Sequence, residues 1–404
     1  MISVEEALTR VRRAVRVVPA ETVSLADGLG RVLASDLAAR VSHPPFAVSA
    51  MDGYAVRAED VARTPATLTQ VGAVPAGGSY AGTVGPGQTV RIFTGGRLPD
   101  GADAIVIQEN VEAAGEKITV AQSVRPGLFV RPAGLDFTAG AVGLSAGRRL
   151  NARDIGLAAA MNQPWLPVRR RPRVAILATG DEIVFPGDPL GPNQIVGSNS
   201  HAVAAAVQAF GGEPFVLGIA RDQADALKTF AGAAEGADLL ITTGGVSVGE
   251  HDLVRRTLEE IGFAFDFWKI AMRPGKPLTF GQRGEGLMLG LPGNPVSALV
   301  CSLIFVKPLL RAMLGLAEQD NALETAKAGR DLAANDERQE YARAHLSAGA
   351  DGELVATPFK KQDSAMLSLL TEADGLIVRP PFAPPARAGE AVRIIRFGPE
   401  LYGL

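Results

Sequence analysis

A single cysteine among 404 residues excludes a disulfide framework and any zinc site built on thiolates, and it fits a chain that works in a reducing, intracellular compartment. Histidine is almost as scarce. His43, His201, His251 and His345 are scattered without ligand spacing, so no histidine metal centre is expected. An excess of either charge is missing too: 40 basic residues face 43 acidic ones, for a net charge of −3. No basic tract is long enough to follow a nucleic acid. The densest run, Arg169 to Arg173, precedes the strand-like Val174-Ala175-Ile176-Leu177 and reads as a solvated linker. No leader is expected either, because Met1-Ile2-Ser3-Val4-Glu5-Glu6 has acids where a signal peptide needs bases. The longest apolar run, near residue 300, is expected to break at Lys307-Pro308, short of the ~20 residues a membrane helix needs. The cytoplasm is therefore the expected location, with neither nucleic acid nor membrane as partner. Cys301, inside the apolar stretch Val296 to Val306, reads as a buried core thiol and not as a nucleophile.

What is present is a chain with 47% hydrophobic and 21% charged residues, enough to bury several cores and long enough for roughly two to four domains. Val4, Leu8, Val11 and Val15 recur at helical spacing. From Val48 to Asp136 short β-branched runs at Leu68 to Val71, Val90 to Phe93, Ile105 to Ile107 and Ile118 to Val120 alternate with Gly/Pro turns, the texture of a β-rich module. Asn151 to Asn162 returns to helix, where Gly156 and Ala158 to Ala160 predict close packing. From Arg173 strands and helices alternate: Val174 to Leu177, Ser200 to Phe210, Phe215 to Ile219, Ala224 to Ala233, Leu239 to Thr242, His251 to Ile261, Leu287 to Leu291 and a helix from Asn294. Nearly continuous apolar strands between helices predict a parallel sheet covered on both faces, with ligands at the carboxyl ends of its strands. Tyr341 to Leu346, Leu354 to Thr357, Leu376 to Arg379 and Ala391 to Phe397 predict a small C-terminal β domain. The expected fold class is thus multidomain α/β plus β. Its division is 1–47 with 137–171 as a helical linking domain, 48–136 as the β-rich domain, 172–320 as the α/β domain and 328–404 as the C-terminal β domain.

The strand ends carry the chemistry. Leu239 to Thr242 runs into Thr243-Gly244-Gly245-Val246-Ser247-Val248-Gly249, where glycines let backbone amides approach a phosphate and hydroxyls add hydrogen bonds. Glu250 and Asp252 follow at once, and carboxylates beside an anion loop suit a phosphate ligand with a hard cation such as Mg²⁺. Thr179-Gly180-Asp181-Glu182 occupies the corresponding place after the first strand. Leu291-Pro292-Gly293-Asn294-Pro295 makes a rigid loop in which Asn294 and Pro295 also read as N-cap and first helical residue. Arg273 and Lys276 lie in the Pro/Gly-stiffened Arg273-Pro274-Gly275-Lys276-Pro277, and two cations fixed there suit an oxyanion. Asp52 in Met51-Asp52-Gly53-Tyr54 lies far upstream, where Asp-Gly alone is an ordinary turn.

Ser49-Ala50-Met51-Asp52-Gly53-Tyr54-Ala55, Thr94-Gly95-Gly96 with Gly101-Ala102-Asp103-Ala104, Thr179-Gly180-Asp181-Glu182, Ser198-Asn199, the Thr243-Gly244-Gly245 loop, Pro274-Gly275-Lys276-Pro277 and Leu291 to Pro295 occur in this order. Their order resembles the MoeA-type molybdopterin molybdenumtransferases, the family that includes the gephyrin E domain. The resemblance covers essentially the whole chain. It implies an elongated, four-domain homodimer that inserts molybdate into adenylylated molybdopterin, releases AMP with the help of Mg²⁺, and works with the molybdopterin adenylyltransferase of the same pathway. It implies a site shared between the sheet domain of one subunit and the Met51-Asp52-Gly53-Tyr54 region of the other. By the same resemblance the catalytic residues are Asp52, Thr94, Asp136, Glu182, Asp252, Arg273 and Lys276, with Glu182 and Asp252 as metal ligands. Thr243, Gly244, Gly245, Ser247, Gly249, Pro292, Gly293, Asn294, Pro295, Arg343 and Ser364 are the implied cofactor-binding positions. The chain departs from the family pattern at Arg273, where Lys is usual, at Gly96, where Ala is frequent, and at Pro192-Asn193-Gln194, where Pro-Gly-Gln is common. The competing readings are a molybdopterin adenylyltransferase, which leaves residues 1 to 150 unexplained, and a non-catalytic gephyrin-like scaffold.

Overall fold

The computed structural model describes residues 1–244, 253–317, 321–350 and 352–398. The chain forms two compact units, one of residues 1–21 with 169–404 and one of residues 22–168.

The larger unit is built on a six-stranded sheet. The apolar runs at Arg173–Thr179, Leu239–Thr243 and Gly286–Leu291 lie side by side and parallel, with Glu213–Ala220 parallel on the outer edge of the first. Helices Asn199–Ala209, Ala224–Ala233 and Leu253–Glu260 follow the strands. Ala175, Leu177, Leu240 and Met288 of the sheet pack with Leu227, Val254 and Leu258 of the last two. The sheet is not wholly parallel: Thr279–Arg283 and Ala264–Phe267 extend it in antiparallel fashion. Their sequences mix polar, glycine and aromatic residues, so neither shows the continuous apolar signature of the inner strands.

Pro308 does not end its helix. The chain is helical from Pro295 through Met313, and its middle, Ser302–Val306, is a π-helical turn in which the Lys307 amide donates to the Ser302 carbonyl. That wide turn sits just before Pro308, where a regular α-helix would bring the proline ring against a carbonyl one turn back. The helix is long and apolar enough to cross a bilayer by length and composition, but 83% of its apolar 18-residue window is buried in the protein. Cys301 is fully buried there, its Sγ 4.0 Å from the Gly275 carbonyl oxygen, and burial pushes its thiol pKa up. The folded protein should therefore resist thiol-blocking reagents. Stoichiometric labelling of Cys301 without unfolding would contradict this placement.

The first helix, Val4–Ala14, starts at Ser3, whose hydroxyl accepts from the Glu6 amide, and it buries Val4, Ala7 and Val11. Leu8 and Val15 of the sequence stripe are only partly covered. Ile2 hydrogen-bonds to the segment at Ile270–Ala271, which ties this helix to the larger unit. The C-terminal strands Glu324–Ala328, Gln339–Ala348, Leu354–Pro358, Gly375–Arg379 and Ala391–Arg396 form a sheet, and Met272–Arg273 adds to it beside Gln339 and Glu340.

The smaller unit holds a six-stranded sheet of Gly53–Val56, Ala66–Val74, Gln88–Ile92, Ala104–Ile107, Val111–Ala114 and Lys117–Val120. Gly53–Val56 lies between Ala104–Ile107 and Gln88–Ile92 and is wholly buried. Alternation sends Tyr54 and Val56 to one core, with Val106 and Ile118, and Ala55 to another, with Val90 and Ile105. Helix Ala152–Ala160 opens with a reciprocal capping box between Asn151 and Asp154. Only Ala158 of its small residues is buried. Gly156 is exposed with open space around its α-carbon, so it does not mark the close packing expected of it.

Candidate functional site

In the larger unit the loops after three neighbouring parallel strands meet. Gly244 has φ of +85°, and a Cβ there would lie 2.6 Å from the Thr179 carbonyl oxygen. Only glycine fits that turn and that approach. Its amide donates to the Leu291 carbonyl at 3.3 Å, and a Cβ on Gly293 would lie 3.7 Å from the Gly244 α-carbon. Asn199 Nδ2 donates to the Gly293 carbonyl at 2.7 Å. Asn294 is the N-cap residue of its helix, and Pro295 is the first helical residue. The Asn294 side chain does not cap the helix; its Nδ2 donates to Ser364 Oγ at 2.8 Å, while the Val296 amide donates to the Ser364 carbonyl. Thr179, Gly244, Pro292, Gly293, Asn294, Pro295 and Ser364 are thus brought into one region. Thr243 is buried at the strand end, and the hydroxyls of Thr179 and Thr242 are buried without a hydrogen-bond partner among the described residues. Gly245, Ser247, Gly249 and Asp252 lie outside the described residues.

Glu182 is exposed, and its carboxylate folds over the α-carbon of Gly180. Asp222, at the carboxyl end of Glu213–Ala220, joins it: its amide donates to Asp181 Oδ1 at 3.2 Å. Crowding by surrounding protein, then repulsion from Asp181 and Glu182, raises the Asp222 carboxyl pKa above its ordinary value. Asp222 escaped the sequence reading because no glycine turn marks it. Its position directly after an apolar strand was the available signal. Among the described residues no group of three or more His, Cys, Asp or Glu is arranged to hold a metal ion.

The two cations of the Pro-Gly loop differ. Arg273 donates to Glu340 Oε1 at 2.7 Å, Asn335 Oδ1 at 3.3 Å and Asp336 Oδ2 at 3.4 Å. Asp336 is held down at about 2 by Arg338 first and by Arg273 last. The Arg273 charge therefore fastens its loop to the C-terminal sheet and is not left bare for an oxyanion. Lys276 is exposed and, among the described residues, has no carboxylate partner. Arg343 is held inside the fold. It is 1% exposed, and its guanidinium donates to Gln362 Oε1 and to the carbonyls of Asp363 and Met366. Burial lowers its pKa. Arg343 shapes the turn that carries Ser364 from inside the fold.

In the smaller unit the sheet joins residues far apart in sequence. The Ser49 hydroxyl donates to the Met51 carbonyl at 2.6 Å, closing the turn that presents Asp52. The Ser49 backbone pairs with Gly95 and Gly96, which brings Thr94 to Asp52. Both the amide and the hydroxyl of Thr94 donate to Asp52 Oδ1 at 2.7 Å. Oδ2 accepts no hydrogen bond among the described residues. These two bonds, then the nearby Arg91 charge, hold the Asp52 carboxyl below its usual range. Because the folded pKa is depressed, the stabilisation is present above the unfolded pKa and is lost as pH falls through the folded one. Thr94→Val should move the Asp52 titration, followed by ¹³C NMR, up toward an ordinary aspartate. An unmoved midpoint would deny the role of Thr94. Asp136 is exposed, and its amide donates to the His43 carbonyl at 3.0 Å. No described hydrogen bond or ion pair links it to Asp52.

Comparisons with known proteins agree along the length of the chain. Residues 2–162 match the family model of the MoeA N-terminal region (domain I and II), residues 175–312 a probable molybdopterin binding domain, and residues 325–397 the MoeA C-terminal region (domain IV). A Nostoc sp. protein named molybdopterin molybdenumtransferase is 43% identical over 74% of this chain and 70% of its own length. The Bacillus subtilis protein of that name is 35% identical over 91% of this chain and 88% of its own. The crystal structure of a molybdopterin biosynthesis MoeA protein from a Pyrococcus species superimposes with a TM-score of 0.87 at 32% identity, over 98% of this chain and 99% of that one. The chain belongs to the MoeA family.

Proposed function

We propose that the chain is a molybdopterin molybdenumtransferase, which takes adenylylated molybdopterin and molybdate, places the metal on the dithiolene and releases AMP. The observation that carries this reading is the convergence of Thr179, Gly244 and Gly293 at the carboxyl ends of three parallel strands, where α/β sheets bind ligands. The exposed turn at Gly293 and Asn294 gives the phosphates of the substrate a place to approach. Lys276, with no competing carboxylate among the described residues, supplies the cation for an oxyanion. Asp52, tethered through Oδ1 and ionised, offers Oδ2 to a water as proton acceptor.

Carboxylate oxygens are ligands for a hard cation, and the repulsion felt by Asp222 is the kind of excess negative charge that such an ion offsets. Glu182 with Asp252 would hold Mg²⁺, and Asp222 is the described carboxylate placed to assist. When bound, the ion would screen the pyrophosphate charge. The proposed assembly is a homodimer with shared sites, acting in the cytoplasm on the product of the molybdopterin adenylyltransferase of its pathway.

The test is AMP release by the purified protein from adenylylated molybdopterin, with and without molybdate, tungstate and Mg²⁺. Release that requires both an oxyanion and a divalent cation is expected. ATP-dependent AMP transfer onto molybdopterin, without release from the adenylylated form, would replace this reading with the preceding step.

A further inference from the structure

The Asp52 carboxylate has a neighbour that neither the glycine-rich motifs nor the family resemblance brings forward. Arg91 stands opposite Tyr54 in the register between Gln88–Ile92 and Gly53–Val56. Its guanidinium carbon is 4.8 Å from the Tyr54 ring centroid and 5.1 Å from that of Phe93. Its Nη2 donates to Gln108 Oε1 at 2.5 Å. The Gln108 backbone N–H in turn donates to the Asp52 carbonyl at 3.1 Å. A guanidinium is weakly hydrated over its faces and a fork of donors at its edge. Here both properties are used, so the cation is fixed in place.

The fixation is hard to account for by packing alone. Phe93 is 39% exposed and Gln108 is exposed, so Arg91 is not filling a core. Among the described residues it makes no ion pair, and its Nε and Nη1 have no hydrogen-bond partner. Side-chain alternation places Tyr54, Arg91 and Gln108 on the sheet face that Asp52 continues. Arg91 is also the ionised group whose charge bears on Asp52 among the described residues. Glu109, the nearest carboxylate in sequence, faces Gln108 Nε2 at 3.4 Å.

We propose that Arg91 is a positioning residue for Asp52: through Gln108 it holds the Asp52 turn in register, and through its fixed charge it keeps the carboxylate that Thr94 orients ready to accept a proton. This rests on the reading of Asp52 as the carboxylate at the reacting centre. Thr94 sets the direction of the carboxylate, whereas Arg91 and Gln108 set the backbone from which it projects. Loss of Arg91 therefore acts on turnover more than on substrate binding.

The experiment compares Asp52→Asn, Arg91→Met, Arg91→Lys and Gln108→Leu in the full-length protein. AMP release gives kcat, KM and the acid limb of the pH profile, and ¹³C-labelled aspartate gives the Asp52 titration directly. Arg91→Met should raise the Asp52 midpoint and the acid limb together. It should also lower kcat roughly tenfold with KM for adenylylated molybdopterin nearly unchanged. Arg91→Lys keeps the charge and should restore the titration, but without the planar fork it recovers only part of kcat. Should Arg91→Met fail to fold, Gln108→Leu cuts the same link at an exposed position and should show a smaller fall in kcat. An inactive Asp52→Asn beside wild-type kcat and titration in Arg91→Met, or wild-type kcat in Gln108→Leu where Arg91→Met does not fold, would overturn the inference alone. Full activity in Asp52→Asn would instead remove the functional reading beneath it.

Discussion

Asp52→Ala and Asp252→Ala, each inactive alone, should regain roughly a quarter of wild-type AMP release when denatured and refolded together at equal concentration. In the proposed homodimer one site takes Asp52 from one subunit and the sheet-domain acids from the other. A hybrid dimer then carries both lesions in one site and neither in the other. Random mixing makes about half of the dimers hybrid, and each hybrid has one intact site of two, so about a quarter of all sites work. Sites built within single chains would leave one lesion in every site of a hybrid and no activity at all. Inactive but well-folded hybrids, verified by native mass spectrometry of differently tagged subunits, would therefore rule out shared sites. The carboxylate-to-methyl changes remove charges that an amide or a water cannot replace at a reacting centre. The contrast between zero and a quarter is large against any background.

Gly53→Ala should destabilise the smaller unit by about 3 kcal/mol, an effect visible as a lower calorimetric transition. A Cβ on Gly53 would lie 2.1 Å from the Val106 carbonyl oxygen and 2.9 Å from its carbon. Both are backbone atoms of the paired strand Ala104–Ile107, so no side chain can swing aside. The strand pairing must open, and Gly53–Val56 is a wholly buried strand paired on both sides. Gly156→Ala is the matched control. That glycine is exposed in helix Ala152–Ala160 with nothing near its α-carbon, so alanine should stabilise by roughly 0.5–1 kcal/mol through lower unfolded-state entropy and better helix propensity. The two changes add the same methyl group in the same unit with opposite signs. Equal transitions for Gly53→Ala and wild type would mean that the strands tolerate a shift the packing here does not allow.

The glycine of the Asp52 motif is thus explained by strand packing, while the aspartate beside it is explained by chemistry. Sequence alone could not separate them. It did reveal the inner strands at Val174, Leu239 and Leu287, because strands buried on both faces are apolar at every position. It did not reveal Ala264–Phe267 or Thr279–Arg283, which are short and mixed in polarity. The bond between Thr94 and Asp52 spans 42 positions and depends on strand pairing that no local pattern encodes. Resemblance picked out both residues, and the fold supplied the contact. Arg273 and Arg343 show the reverse. Cation identity in a stiffened loop suggested anion binding at Arg273 and resemblance implied a binding role for Arg343, while the fold supplies Arg273 with Glu340 and Asp336 and buries Arg343 among carbonyl oxygens. Charge type is legible in a sequence, whereas the partner that consumes the charge is a tertiary fact.

The π-helical turn at Ser302–Val306 also sets a phase. Each residue of an α-helix advances the side-chain direction by about 100°, so the register of Lys307–Met313 relative to Pro295–Cys301 is decided by how many residues the wide turn contains. In the present count Leu309, Leu310 and Met313 face the core, while the helix start presents Asn294 to Ser364. Removing one residue from the turn would restore regular α-helical bonding locally and rotate one half by about 100° against the other. Either the apolar half would leave the core or Asn294 would swing away from Ser364. The segment therefore tolerates substitution far better than deletion, and its length is an angular constant of the site.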